Sequence, residues 1–546
     1  MGIWANNNTT PEFARWNGTG FDSLSNSAIT GEWAIMQVAE APTRHEIIAV
    51  GVDTAGIING QIWNGSAWTA FSFNDLVDLA TTGFRSFQLA YEQQSGDAML
   101  VWDNGTTGST SLSYRTWDGT SWSSAQTITT PVAGEAVQMR LSADPNSDSM
   151  ILAVSGTPAA NDYALVWNGS SWGNSVTLDT VSGIDRTEIH VAYESHSGHA
   201  IVVYDADGST NAISYRIWDG TNWGSQLSLS APAGIGASND ANYSVMASDA
   251  GSNRIALAVV TDSSEIWISV WNGSSWTSQV AATTTAAITT APIVGLAFEH
   301  NSGDLLAAYG KSGSDNVFYR TWTSGGGWSS ELTGPNIVAV PNSVVLNADP
   351  NSDRIMLGTH DASKDVNYTE WTGSAWNAVS GDMTGDTGTT GGFEPLAFVW
   401  YDNNRTPVIS TSSLSIAENA TAAGTVASSD ADGDALTWTI IGGADQALFT
   451  INASTGALSF IAAPNFESPT DAGANNVYDV IVRASDGTGG TDSQALAVSV
   501  TNVNEAPVNT VPGAPSVNED SAFVFTVGNS SAISIADVDA GTSSVH

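Results

Sequence analysis

The sequence predicts an all-β protein in which an eight-bladed β-propeller is followed by a β-sandwich and by the start of a second one. The main observation is the motif Trp-x-Gly-x-x-Trp, which begins at Trp63, Trp117, Trp167, Trp218, Trp271 and Trp371. Altered copies at Trp16 and Trp322 extend the series to eight, with spacings of 47, 54, 50, 51, 53, 51 and 49 residues. A repeat of this length, filled with short strands and turns, is typical of propeller blades.

Each repeat predicts a four-stranded blade. In the second repeat, alternating apolar residues predict strands over residues 86–91, 98–102, 112–117 and 122–128. Asp118-Gly119 and the equivalent Asn-Gly or Asp-Gly pairs of the other repeats suit a hairpin turn, because these residues adopt positive φ at low cost. We therefore expect the two tryptophans of each motif to flank a hairpin.

The ring is expected to close across the two ends of the repeat region. Residues 395–401 predict the first strand of the eighth blade, and residues 2–5, 12–16 and 21–24 predict its remaining strands. Joining both ends in one sheet would remove the open edge of the ring. The propeller is therefore predicted over residues 1–403.

Successive repeats differ, so that the true unit is a pair of blades: Trp63, Trp167 and Trp271 follow one another at intervals of 104 residues. Even repeats carry a glutamate after the first strand and an arginine, preceded by tyrosine, before the tryptophan. These residues are Glu92 and Arg115, Glu194 and Arg216, and Glu299 and Arg320. They predict a polar ligand site in alternate blades. The eighth blade would be a degraded copy, with Val399 replacing the glutamate. The alternative is an internal ion pair that recurs with the repeat.

Two further repeated features allow both a functional and a structural interpretation. The tryptophans would either stack against sugar rings or lock hairpins and pack between blades, and their fixed positions favour packing. Odd repeats contain Asp144-x-Asn146-x-Asp148 and Asp349-x-Asn351-x-Asp353. These segments imitate the start of a calcium loop but lack its glycine and distant glutamate, which favours a type I turn.

Composition limits the partners and the chemistry. The chain has 55 acidic and 14 basic residues, a net charge of −41, which repels phosphate backbones and anionic lipid and argues against nucleic-acid binding or membrane docking through a basic patch. Cysteine is absent, which excludes disulfides, thiolate nucleophiles and cysteine-type zinc sites. No apolar stretch reaches about 18 residues, so no transmembrane segment is predicted. The start of the chain lacks a signal-peptide pattern, so any export or anchoring signal is expected outside it.

Signals for catalysis are weak. The seven histidines show no paired metal spacing, and the chain has no nucleophile elbow or phosphate-binding loop. The prediction is a protein without catalytic residues. A carboxylate pair for glycoside hydrolysis stays open as an alternative, because Asp and Glu are abundant.

The repeat stops after Asp402, and the next hundred residues carry five different motifs in order. Their polar members are Glu418, Asp430, Asp432, Asn465, Glu467, Asp486, Asn502, Asn504 and Glu505. With these motifs the segment resembles the cadherin-like domains of large bacterial surface proteins. The resemblance implies a β-sandwich over residues 404–507 and a second repeat over residues 508–546. The 39 residues of that second repeat are too few for a core of this type.

The resemblance also implies bound calcium as the cofactor at the domain joints. One group of ligands would be Glu418, Asn465, Glu467, Asn502, Asn504 and Glu505, meeting Asp537 and Asp539 of the next repeat. A second group, Asp430, Asp432 and Asp486, would face the propeller, with Asp402 and Asn404 as linker ligands. Calcium takes six to eight oxygen ligands, which a linker and two domains together supply. The alternative is an acidic, turn-rich surface without metal.

These features predict a protein of the extracellular space or bacterial cell surface, with a propeller head on a stalk of calcium-stiffened repeats. Adhesion or ligand display is the expected function. The expected partners are a glycan or a cell-surface protein, together with homophilic contacts through the cadherin-like repeats. An extracellular carbohydrate-active enzyme and a structural surface-layer component are the alternatives.

Overall fold

The computed structural model describes residues 2–4, 11–15, 25–26, 33–53, 56–77, 86–103, 109–157, 162–179, 189–206, 212–236, 240–289, 292–379, 396–400, 406–430, 434–487 and 490–540. The chain divides into two compact units, Met1–Asp402 and Asn403–His546. The described residues are nearly all β, with short 3₁₀ turns at Gln446–Leu448 and Val527–Asn529. Neither of these turns, nor any other helix in the described ranges, is long and apolar enough to cross a membrane.

The described part of the first unit forms eight antiparallel sheets, numbered here as blades one to eight from Trp33 onward. Blade one contains Trp33–Glu40, Ile47–Asp53, Ile57–Trp63 and Trp68–Leu76. Blade two contains Phe87–Tyr91, Ala98–Trp102, Ser111–Trp117 and Gln126–Thr129. Blade three contains Glu135–Ala143, Ser149–Thr157, Tyr163–Asn168 and Trp172–Thr177. Blade four contains His190–Tyr193, Ala200–Tyr204, Ala212–Trp218 and Leu227–Ser230.

The remaining blades follow the same order with small departures. Blade five contains Ala241–Ser248, Ile255–Thr261, Ile266–Trp271 and Trp276–Thr283. Blade six contains Val294–Phe298, Leu305–Gly310, Asn316–Thr323, Gly327–Trp328 and Leu332–Asn336. Blade seven contains Pro341–Ala348, Ile355–Asp361 and Val366–Trp371. Blade eight contains Leu396–Phe398, Gly2–Trp4, Glu12–Ala14 and Ser25–Asn26.

The blades form a closed ring. The first strand of each blade contacts the first strand of the next, and that of blade eight contacts that of blade one. The second strands are buried on both faces, as in Ala98–Trp102 and Ile255–Thr261, because neighbouring blades cover them. Fourth strands such as Gln126–Thr129 are largely exposed. This is the architecture of a β-propeller, as the sequence predicts.

Blade eight joins the two ends of the first unit. Gly2–Trp4 pairs with Leu396–Phe398 on one side and with Glu12–Ala14 on the other. The two ends of this unit therefore meet in one sheet, which is the arrangement that the predicted closure requires. The predicted strand over residues 21–24 lies outside the described residues, and Ser25–Asn26 pairs with the strand Glu12–Ala14 at this place.

The hairpin between the tryptophans is also confirmed. Trp63 pairs with Trp68 across the turn, and the intervening Gly65 has a φ of 93°. The fourth strand of blade two begins later than predicted, because Trp122 forms only an isolated bridge to Trp117. The Ser123 carbonyl that follows accepts a hydrogen bond from the Arg115 side chain.

The second unit begins with a β-sandwich. One sheet contains, in spatial order, Ser413–Ala417, Thr491–Thr501, Val477–Ser485 and Thr437–Gly442, and the other contains Ala422–Thr425, Ala457–Phe460 and Phe449–Ile451. The short strands Val408–Ile409 and Ser428–Ser429 form a separate pair. Inward side chains alternate along Val477–Ser485, where Tyr478, Val480 and Val482 are buried in the core. Alternation of this kind is what a sheet with one solvated face requires.

In the segment after the sandwich, described as far as residue 540, Val508–Thr510 pairs with Ser534–Ala536 in a small sheet. Most of its larger apolar side chains, including Val511, Val524 and Phe525, are exposed. This exposure agrees with the expectation that the segment is too short for a core of its own.

Candidate functional sites

The glutamates of the even blades each bind a tryptophan of the following blade. Glu92 Oε1 accepts a hydrogen bond from Trp167 Nε1 at 2.5 Å. Equivalent bonds join Glu194 to Trp271 at 2.6 Å and Glu299 to Trp371 at 2.7 Å. The second oxygen of each carboxylate accepts from a serine three residues later: Ser95, Ser197 or Ser302. Burial raises the pKa of the Glu92 and Glu299 carboxyls.

The tyrosine of each Tyr-Arg pair packs against the same tryptophans. Tyr114 lies 5.9 Å from Trp167 and 6.4 Å from Trp172, between ring centroids. Tyr215 packs on Trp271 and Trp276 in the same way, and Tyr319 packs on Trp371 and Trp376. Blades two, four and six therefore each hold the tryptophan pair of the next odd blade through a glutamate and a tyrosine. These contacts recur every second blade, in step with a repeating unit of two blades.

The arginines of the Tyr-Arg pairs do not bind these tryptophans but other groups. Arg115 Nη1 donates to the Ser123 carbonyl at 2.6 Å, and its Nε and Nη2 donate to Asp75 of blade one at 3.0 and 2.8 Å. The equivalent Nη1 bonds run from Arg216 to the Gly224 carbonyl and from Arg320 to the Ser329 carbonyl, each at 2.8 Å. Arg115 also stacks on Phe73, 4.5 Å from the ring centroid.

The glutamate and arginine of a blade are not brought together. Within the described ranges, no ion pair joins Glu92 to Arg115 or forms at the equivalent positions. The hypothesis of a recurring Glu–Arg ion pair is therefore wrong, because each partner has its own inter-blade or main-chain contact. Ligand binding by these six residues stays a prediction.

The acidic segments of the odd blades form turns and contact the preceding blade. Asp144 Oδ1 accepts from the Asn146 main-chain N–H at 3.0 Å, as in a turn. Asp148 Oδ1 accepts from the main-chain N–H groups of Gln94 and Ser95, each at 2.8 Å. Asp353 repeats this contact with Asn301 and Ser302. These carboxylates accept hydrogen bonds from main-chain N–H groups, which agrees with the interpretation of the segments as turns.

The contact between blades eight and one is a reduced version of this arrangement. Phe13 packs on Trp68 at 5.4 Å, and Arg15 lies 5.8 Å from the Trp63 ring centroid. Val399 stands where other even blades have glutamate and packs against the cluster that contains Trp63. The buried Trp63 Nε1 has no hydrogen-bond acceptor among the described residues. The sequence predicts that blade eight is a degraded copy, and the structure shows the consequence: in the part of the chain that it describes, Trp63 lacks the glutamate acceptor that the equivalent tryptophans have.

In the second unit, three carboxylates meet at one end of the sandwich. Ligand oxygens of Glu418, Glu467 and Glu505 lie within 4.8 Å of one another, and we call these residues the joint carboxylates. Glu418 is buried, and its two oxygens accept from the main-chain N–H groups of Val503 at 2.9 Å and Phe466 at 2.8 Å. Desolvation and the nearby charges of Glu418, Glu505 and Asp539 raise the pKa of Glu467.

Asp539 connects the following segment to this group. Its Oδ1 accepts from Asn502 Nδ2 at 3.0 Å, and its Oδ2 accepts from the Glu505 main-chain N–H at 2.5 Å. These donors lower the pKa of Asp539. Asn502 Nδ2 also donates to Glu467 Oε1 at 2.8 Å. Five of the predicted ligands therefore lie together: the joint carboxylates, Asn502 and Asp539.

The other predicted ligands take part in local turns. Asp537 Oδ1 accepts from the Asp539 main-chain N–H, Asn465 Oδ1 accepts from that of Ser468, and Asn504 Nδ2 donates to the Glu505 carbonyl. In the second predicted group, Asp430 Oδ1 accepts from the Asp434 main-chain N–H and Asp486 Oδ1 from that of Gly490. Asp432, Asp402 and Asn404 lie outside the described residues.

Sequence analysis missed the central channel of the propeller. A cavity of about 390 Å³ is lined by the first strands of all eight blades, and Gln88, Arg140 and Tyr243 are among its polar side chains. Aligning the first strands of the repeats would have found this position, because Arg140 corresponds to Gln88 and His190. Without that alignment, a single arginine in an apolar strand does not indicate that the position faces a channel.

Comparisons with known proteins find one family match and several similar structures. Residues 404–499 match the family described as bacterial Ig domain. No curated protein sequence matches the chain significantly. The BP39L lectin from Burkholderia pseudomallei is similar to 63% of this chain over 98% of its own, with 10% identity and a TM-score of 0.47.

Two further solved structures are similar over smaller parts of the chain. AofleA from Arthrobotrys oligospora covers 55% of this chain and 85% of its own, with 14% identity and a TM-score of 0.33. The six-bladed propeller lectin of Aleuria aurantia covers 55% and 95%, with 17% identity and a TM-score of 0.31. At these values the likeness carries no ligand residue over to this chain.

Proposed function

We propose that this is a non-catalytic protein of the extracellular space or bacterial surface, in which a glycan-binding propeller is carried by calcium-stiffened, cadherin-like repeats for adhesion or ligand display. The observation that carries the proposal is the group of joint carboxylates. Three glutamates from separate parts of the sandwich and its exit segment converge with Asp539, which follows the sandwich.

The joint carboxylates fit a calcium ion. Glu467 Oε2 and Glu505 Oε2 are buried, and neither has a hydrogen-bond donor among the described residues. Buried carboxylate oxygens without donors are costly unless a cation compensates them. Glu418, Glu467, Glu505 and Asp539 would hold the ion, with the amide oxygen of Asn502 after its side chain turns. A bound calcium supplies charge neutralisation and directional bonds between the sandwich and the following segment.

The surface between blades one and two supports glycan binding by the propeller. Trp122 packs on Phe71 at 5.2 Å and on Phe73 at 5.4 Å, and all three rings are partly exposed. Arg115 lies beside them over Phe73. An aromatic face next to a charged donor matches a sugar ring, which has an apolar face and polar hydroxyls.

The propeller proposal is tested with a glycan array and the full chain. The triple variant R115Q/R216Q/R320Q is expected to lose binding while keeping its far-UV circular dichroism. Arg483 is exposed on the sandwich, so R483Q is the matched control and should bind normally. Unchanged binding by the triple variant, or loss of its fold, contradicts the assigned role. Release of a product from a bound glycan would favour the enzyme alternative.

The calcium proposal is tested by isothermal titration and limited proteolysis. Calcium should release heat and slow cleavage around residues 502–505, because it ties this segment to the sandwich. The variant E467Q/E505Q should lose both effects. E519Q, at an exposed glutamate of the segment after the sandwich, should keep them. Absence of heat and of protection in the unaltered chain would contradict calcium binding at this joint.

A further inference from the structure

The first strands of the blades place one residue each at the same level of the central channel. In blades one to seven, the first strand pairs with the second strand of the same blade. The residue in question lies three positions before the last first-strand residue that takes part in this pairing. We call these residues the channel ring: Gln37, Gln88, Arg140, His190, Val245, Gly295 and Val345, from blades one to seven. All seven line the cavity.

The channel ring is polar on one side and apolar on the other. Blades one to four contribute Gln37, Gln88, Arg140 and His190, whereas blades five to seven contribute Val245, Gly295 and Val345. The division follows the order of the blades around the ring. A ligand in this channel would therefore meet hydrogen-bond donors on one side and apolar groups on the other.

Arg140 is the buried cation of the ring, with 5% of its surface exposed. Its Nη2 lies 3.4 Å from the Tyr243 hydroxyl. When the Gln138 amide is turned so that its oxygen faces Arg140, that oxygen accepts from Nη1 and Nη2 at 2.9 and 3.0 Å. Arg140 Nε has no acceptor, and no carboxylate pairs with the guanidinium, within the part of the chain that the structure describes.

A buried guanidinium without a carboxylate is unexpected in a chain with 55 acidic residues. Buried charges are normally paired, because removing them from water is costly. Burial accordingly lowers the pKa of Arg140. The missing counter-charge is what an anionic ligand would supply.

Gln88 provides a second donor at the same cavity. Its side chain is 4% exposed, and its Oε1 accepts from the main-chain N–H of Leu141, next to Arg140, at 3.3 Å. Its Nε2 has no acceptor among the described residues. Gln88 and Arg140, from adjacent blades, thus line one cavity, and each has a buried donor atom for which the described residues offer no acceptor. A carboxylate has an oxygen for each donor.

We infer that the central channel binds a small ligand through a single carboxylate group, held by Arg140 and Gln88, with the body of the ligand against Val245 and Val345. One guanidinium beside neutral donors matches one negative charge. The cavity of about 390 Å³ has the size of a small-molecule site. This site is separate from the inter-blade surfaces of the proposed function.

The carboxylate could belong to an acidic sugar or to an aliphatic acid, and two probes distinguish these sources. Glucuronate and hexanoate are titrated into the full chain by calorimetry, with glucose as the matched neutral sugar. We expect at least one acid to bind and glucose not to bind. The acid that binds more tightly identifies the source. Binding of neither acid, or equal binding of glucose and glucuronate, would overturn the inference.

Variants locate the binding in the channel. R140M should weaken binding of the acid at least tenfold. Q88E keeps the acceptor for Leu141 and places an internal carboxylate beside Arg140, so it should raise the melting temperature and also weaken binding at least tenfold. If R140M does not fold, Q88E alone tests whether the acid binds in the channel. The control R354Q, at a half-exposed arginine paired with Glu370, should bind normally.

Two results would place the acid elsewhere and overturn the inference: wild-type affinity in folded R140M, or wild-type affinity in Q88E. The inter-blade variant R115Q/R216Q/R320Q should keep acid binding. Its result therefore separates a failure of this channel site from a failure of the glycan-binding proposal.

Discussion

Glu92 in blade two accepts a hydrogen bond from the indole nitrogen of Trp167 in blade three, although 75 residues separate them in the chain. Both side chains are buried. The bond recurs between Glu194 and Trp271 and between Glu299 and Trp371. It therefore joins each of blades two, four and six to the odd blade that follows.

Removing this acceptor should destabilise the propeller. E92A leaves the Trp167 N–H buried without a partner, and we expect a loss of about 2 kcal/mol in the free energy of unfolding. E92Q keeps an acceptor oxygen and should lose less. Urea unfolding followed by tryptophan fluorescence measures both. D262A, at an exposed aspartate of the propeller, is the control, and an E92A loss no larger than that of D262A would contradict the role of the bond.

The same carboxylates predict a pH dependence. Burial raises the pKa of Glu92 and Glu299 in the folded state above the value of about 4.3 for an unfolded chain. The stability that proton binding contributes is present below the unfolded pKa and is lost as pH rises through the folded pKa values. The stability of E92Q/E299Q relative to the unaltered protein should therefore increase from pH 4 to pH 7. A melting-temperature difference that is constant over this range would contradict the raised pKa values.

Restoring the missing acceptor at Val399 should strengthen the closure of the ring. V399E would offer a carboxylate to Trp63 Nε1, for which the described part of the chain has no acceptor, as Glu92 does for Trp167. We expect a coupling of about 1 kcal/mol between the two positions. A double-mutant cycle of V399E with W63F measures it by chemical unfolding. An effect of V399E that is the same with Trp and with Phe at position 63 would show that no such bond forms.

Deleting residues 1–24 should open the ring. The deletion removes Gly2–Trp4 and Glu12–Ala14, which complete the sheet of Leu396–Phe398, and leaves an unpaired sheet edge. We expect the melting temperature of the propeller to fall by roughly 5–10 °C in calorimetry. Deletion of residues 508–546, outside the first unit, is the control and should leave the propeller transition in place. An unchanged transition after the N-terminal deletion would contradict closure by these strands.

The sequence by itself determined the elements and their order. The tryptophan spacing and the Asn-Gly pair at Asn64 and Gly65 predict the blades and their hairpins, because turn chemistry and strand alternation are local properties. The match of the N-terminal strands to the incomplete last repeat predicts the closure. The resemblance of the ordered acidic motifs to those of cadherin-like domains implies that Glu418, Glu467 and Glu505 converge.

Only the tertiary structure decided which of the repeated residues touch. Glu92 and Arg115 recur in the same repeat, yet Glu92 binds blade three and Arg115 binds blade one. A repeat shows which residues recur, but it does not show which side of the blade each one faces or which neighbouring blade it meets. Arg140 is a similar case: its burial without a paired carboxylate among the described residues becomes visible only when eight first strands surround one axis.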